Sequence, residues 1–81
     1  MEKRVGTVII QINSHEHVAF LNDILSQHAD IILGRQGLPR SNGKSLIYLI
    51  LEGTTDQIGS LTWHLGRLKE IQVKSVLLKN I

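Results

Sequence analysis

Apolar residues along this chain follow two rhythms, and the switch between them occurs twice. From Arg4 to Ile12 they crowd together as in a β-strand rich in branched side chains, with Val5, Val8, Ile9, Ile10 and Ile12 among them. Asn13-Ser14-His15-Glu16 then reads as a helix start. Asn13 is placed to cap free amides, and Glu16, three residues on, completes a capping-box spacing. To about Ala29 the period is helical, with Val18, Leu21, Leu25 and Ala29 on one stripe. Ile31 to Leu38 predicts a second strand, interrupted by Gly34 and Gly37, a residue type that marks bulges or close approaches inside strands. Ser41-Asn42-Gly43-Lys44 predicts a type I′ hairpin turn, because Asn-Gly readily takes positive φ.

The third strand, Leu46 to Leu51, is apolar at every position. Thr54 and Gln57 stand at capping-box spacing before a second helix whose core stripe is Ile58, Leu61, Leu65 and Leu68. Ile71 to Lys79 reads as the last strand. The order β-α-β-β-α-β in 81 residues predicts a single α+β domain spanning 1–81. Its four-stranded antiparallel sheet carries both helices on one face, the ferredoxin-like arrangement. The first and third strands are then central. A sheet covered on one face only should alternate apolar and polar residues. These two strands barely alternate, so their second face is expected to be covered, most simply by another copy of the chain.

On the second helix Gly59, Thr62, Trp63 and Gly66 lie together, away from the leucine stripe. Glycine in a helix interior costs about 1 kcal/mol relative to alanine, which is easier to understand if another backbone passes close by. These four residues and Tyr48 are the expected oligomer contacts.

At 42% hydrophobic and 20% charged residues, the composition is that of a folded domain. A chain this short buries roughly 60–65% of its unfolded surface, so burial in an oligomer would add stability. It has no cysteine, which excludes disulfides, zinc ribbons, iron–sulfur ligation and thiol catalysis. Met1-Glu2-Lys3-Arg4 leads into a strand without the apolar core of a secretory signal. No apolar run approaches the ~20 residues of a membrane span, so the cytoplasm is the expected compartment. The net charge is +2. Arg35, Arg40 and Lys44 gather at a turn, and Arg67, Lys69, Lys74 and Lys79 towards the C-terminus. Acids are interspersed and the aromatics are few, which reads as solvated surface and not as a nucleic-acid stripe.

Candidate chemistry is thin. Gly37 to Ser45 has the look of a phosphate-binding loop, but Gly37 stands one residue too far from Gly43, and a strand follows where that loop needs a helix. His15-Glu16-His17 falls short of a metalloprotease helix, since Ala19 stands where the second ligand would be. Residues two apart on a helix point about 200° apart, and His17 and His28 are some three turns apart, so no metal site is expected within one chain. A nucleophile elbow, a Ser-His-acid set and paired carboxylates are all missing. Neither enzyme activity nor a particular cofactor is therefore implied.

Asp30-Ile31-Ile32-Leu33-Gly34-Arg35-Gln36-Gly37-Leu38-Pro39 resembles a stretch of the iron-only hydrogenase system regulators. So do Ile58-Gly59-Ser60-Leu61, Leu65-Gly66-Arg67-Leu68 and Val73-Lys74-Ser75-Val76, and the resemblance covers essentially the full length. These are small ACT-like proteins, similar in fold to the C-terminal domain of the nickel-responsive regulators. The resemblance implies a ferredoxin-like sandwich and a homo-oligomer, dimer or tetramer. It also implies a regulatory role, sensing a small-molecule effector or docking on a protein partner. ACT-type modules bind effectors near the first strand–helix loop. Carried onto this chain, Asn13, Ser14 and His15, with Arg35, are the expected ligand contacts, and helix amides there suit a carboxylate. The chain departs from the pattern in having no glycine between Gly6 and Gly34 and no cysteine to bind nickel. With about three residues before the first strand, direct nucleic-acid binding through an N-terminal ribbon is not expected.

Overall fold

A computed structural model describes residues 2–79. Strand β1 (Arg4–Ile12) is followed by a 3₁₀ turn (His15–His17) and helix α1 (Val18–Gln27). A second 3₁₀ turn (Ala29–Ile31) leads into β2 (Ile32–Pro39), β3 (Ser45–Gly53), α2 (Thr55–Gly66) and β4 (Ile71–Leu77). The sheet order is β2-β3-β1-β4 with every neighbour antiparallel, the ferredoxin-like order, so β1 and β3 are central as expected.

One face of the sheet meets the helices. Val8, Ile10, Ile12, Ile47, Leu49 and Leu51 point inward against Leu21, Leu25, Ile31, Ile58, Leu61 and Leu65. Among the described residues no polar or charged side chain is buried, so the core's cohesion is hydrophobic, at about 25 cal/mol per Å² removed from water. Gly6 also lies on the inner face, where β4 comes close. A Cβ there would stand 2.5 Å from Leu77 Cδ2 and 2.8 Å from the Val76 carbonyl oxygen.

The element ends differ from the sequence expectation in four places. Ser14, not Asn13, caps the first helical turn, its Oγ accepting from the Glu16 amide at 3.3 Å. Asn13 is used elsewhere: its amide donates to the Glu70 carbonyl at 2.8 Å, and its side-chain oxygen accepts from Gln11 Nε2 at 2.9 Å. Helix α1 stops at Gln27, which leaves Ala29 exposed in the next turn. The stop has a visible cause. His28 Nδ1 lies 2.7 Å from the Ile24 carbonyl, taking the acceptor that the His28 amide would use in a continuing helix.

The β2–β3 connection is not type I′, because Gly43 alone in it has positive φ, at 81°. The Gly43 amide donates to the Arg40 carbonyl and the Arg40 amide to Lys44, the three-residue hairpin form with a left-handed glycine. The last strand ends at Leu77, short of Lys79. It is entered through Glu70, whose φ of 64° is unusual for a residue with a side chain. Other local signals read correctly. Thr54 and Gln57 form the reciprocal capping box, and β2 carries a register shift between Ile32 and Gly34.

The other sheet face has no helix on it. Across it run three rows set by the register: Leu38–Leu46–Gln11–Gln72, Gln36–Tyr48–Ile9–Lys74 and Gly34–Ile50–Thr7–Val76.

Candidate effector-binding site

Where α1 leaves part of the β2–β3 hairpin uncovered, a cleft of about 330 Å³ opens. Its inner wall is Ile12, Leu21 and Ile47, all buried. Four polar side chains surround it: His15, Asn22, Arg35 and Ser45. His15 comes from the first 3₁₀ turn, and its Nε2 lies 3.4 Å from Ser45 Oγ. Arg35 alternates on β2 with the residues of the open face, which turns it towards the helices, and its Nη2 donates to Asn22 Oδ1 at 3.4 Å. That long bond leaves the guanidinium exposed, with no carboxylate partner among the described residues. A cation and several hydrogen-bonding groups above an apolar floor suit a small molecule with an anionic head and an apolar body.

Of the four ligand contacts expected from the sequence, His15 and Arg35 meet in this cleft. Asn13 and Ser14 do not line it, because both are occupied in holding the loop. Asn22 and Ser45 were not anticipated. Ser45 had a signal, since antiparallel pairing of the first and third strands sets it opposite Ile12. Asn22 had none beyond its place on α1, one residue past buried Leu21.

The five expected oligomer contacts divide between two surfaces. Tyr48 lies on the open sheet face, where its hydroxyl donates to Gln36 Oε1 at 2.7 Å. Gly59, Thr62, Trp63 and Gly66 lie on α2, in the layer on the sheet's other side. Trp63 is 59% exposed there, with the Arg67 guanidinium 4.7 Å above its ring. Thr62 spends its hydroxyl on the Ile58 and Gly59 carbonyls. A Cβ on Gly59 or Gly66 would meet nothing within 4 Å, so neither glycine is demanded by packing inside the protomer.

A third group joins the helices. The His28 ring reaches Ser60 Oγ through Nε2 at 3.2 Å, and His64 Nδ1 lies 2.7 Å from the Ser60 carbonyl. A carbonyl can only accept, so Nδ1 is the donor in both rings. A cavity of about 340 Å³ beside them, with Asp30 and Asp56 on its wall, finds both His28 nitrogens already engaged. Among the described residues, no three His, Asp or Glu side chains are grouped so as to hold a metal ion.

Residues 4–75 match the family model of the TM1266-like proteins, described as "Iron-only hydrogenase system regulator, putative". The chain belongs to this family. The uncharacterized protein TM1266 from Thermotoga maritima is 31% identical to it, superimposes with a TM-score of 0.90, and is covered over 100% of its length by 96% of this chain. At the level of the TM1266-like fold alone, CPII is also similar. This nitrogen regulatory PII-like protein from Thiomonas intermedia K12, solved bound to ADP, AMP and bicarbonate, shares 16% identity at a TM-score of 0.52, over 98% of this chain and 100% of CPII. An unknown protein from Galdieria sulphuraria shares 8% identity at a TM-score of 0.66, and this chain spans 48% of it. No curated protein matches the chain. No helix among the described residues is long and apolar enough to cross a membrane.

Proposed function

We propose that this TM1266-like protein is a cytoplasmic, homo-oligomeric, ACT-like regulatory module of an iron-only hydrogenase system. It carries out no catalysis, and it senses a small effector in the cleft between α1 and the β2–β3 hairpin. The observation that supports this most is the meeting of His15 and Arg35, twenty positions apart in the chain, over a buried apolar floor. An exposed guanidinium held only by its long bond to Asn22, with no carboxylate partner among the described residues, favours a carboxylate or similar anion, with the buried Ile12, Leu21 and Ile47 packing against its apolar part.

The test is a thermal-shift series with small carboxylates and adenine nucleotides, preceded by native mass spectrometry of untagged protein. An effector at 100 times its dissociation constant adds about 2.7 kcal/mol of stability. Arg35→Ala should abolish that gain while leaving the unliganded midpoint nearly unchanged. A series in which no compound shifts the wild type, or shifts the variant equally, would remove the sensing role. The alternative is a protein–protein assembly module without a small ligand. Trp63 and Phe20, each 59% exposed on the helix layer, favour it, because large exposed aromatics fit a protein partner.

A further inference from the structure

We infer that the open sheet face is where two copies of this chain join, face to face about a two-fold axis, with Ile9 and Tyr48 at the centre of the contact. The inference rests on the homo-oligomeric part of the function above and specifies which surface forms the oligomer.

Three observations carry it. First, both hydroxyls of the three rows and the Gln11 amide nitrogen already donate within one protomer. Thr7 Oγ1 donates to the Leu49 carbonyl at 2.8 Å, Tyr48 Oη to Gln36 at 2.7 Å, and Gln11 Nε2 to Asn13 at 2.9 Å. Burying a hydroxyl without a partner costs about 1–3 kcal/mol. Here the hydroxyls have partners before any second chain arrives, so the face can shed water cheaply.

Second, the area is sufficient. Ile9, Leu38, Tyr48, Ile50 and Val76 are exposed by 49%, 44%, 39%, 38% and 62%. For side chains of these sizes that is roughly 450 Å² of apolar surface, inside the range of functional patches. A stable dimer needs roughly 800 Å² from each partner, a little over half of it apolar. The glutamines and threonine of the same three rows supply the polar remainder.

Third, the charge pattern permits self-contact. Lys74 is the only charged side chain in the three rows, and it sits on the edge strand β4, one strand from Ile9. Two such faces, uncharged apart from Lys74, can meet about a two-fold axis with Ile9 and Tyr48 against their counterparts, as an isologous contact requires. A highly charged partner would find no matching field.

Sedimentation equilibrium from low to high micromolar concentration tests this on the wild type, Ile9→Lys, Val76→Glu and Trp63→Ala. Ile9 and Val76 are not core residues, so both variants should keep the wild-type circular dichroism. Ile9→Lys sets two ammonium groups near the axis and should raise the dimer dissociation constant by roughly a hundredfold or more. Val76→Glu should weaken it less, and Trp63→Ala should leave it unchanged. An oligomer that survives both face substitutions would overturn the assigned surface while leaving oligomerisation intact. A wild type that stays monomeric at high micromolar concentration would overturn both. If Ile9→Lys alone misfolds, Val76→Glu decides.

Discussion

Glu70 holds a left-handed backbone with φ 64°, in the turn that receives the Asn13 amide. A side chain there costs about 1–2 kcal/mol, and glycine gives back about 0.5–1 through its freer unfolded chain. Glu70→Gly should therefore raise stability by about 0.5–1 kcal/mol, read as a higher urea midpoint with an unchanged slope. Gly6→Ala should do the reverse. Its new methyl collides with the β4 backbone at Val76, and a loss of about 1–3 kcal/mol is expected in the same measurement. At this scale the sequence was only partly legible. Asn13 and Ser14 are both good caps, and nothing local chooses between them. The choice is made by a hydrogen bond to Glu70, a residue far along the chain. Arg35 and His15 were readable as candidates, whereas Asn22 became visible only once α1 was laid against β2.

Among the elements, local chemistry was a good guide wherever the device was itself local. The capping box of α2 involves residues three apart and appeared as expected. The C-terminus of α1 did not, because an imidazole four residues on captured the Ile24 carbonyl, and no periodicity records that. The hairpin was recognisable from Asn-Gly, but the number of residues in its loop was decided by the pairing of β2 with β3. Helix α2 offers the sharpest test at this level. Gly59 lies in its interior with open space where a Cβ would be, so Gly59→Ala should stabilise the protein by about 1 kcal/mol in urea unfolding. The same substitution should leave the oligomer intact, since the assigned contact is on the other side of the sheet. Loss of the oligomer in Gly59→Ala would return the interface to α2.

For the whole molecule, the β-α-β-β-α-β order predicted a ferredoxin-like sheet with the first and third strands central, and the observed strand order β2-β3-β1-β4 agrees. The cleft was less legible, because it is built where the short α1 fails to cover a longer hairpin. If the open face joins two copies, thermal stability must depend on protein concentration. The melting midpoint of the wild type should rise with each tenfold increase in concentration, and that of Ile9→Lys should not. A midpoint independent of concentration in the wild type would contradict the dimer.

Leu38 and Leu46 line the cleft and also form one end of the open face's first row. A molecule seated in the cleft and a second chain seated on the face would therefore meet the same two residues from opposite sides of the sheet. Thermodynamic reciprocity then fixes how the two events speak to each other. An effector that binds the dimer ten times more tightly than the monomer strengthens dimerisation by the same factor per site, and one that prefers the monomer dissolves the pair. Two adjacent leucines would thus let so small a protein convert the concentration of a metabolite into a change of its own mass.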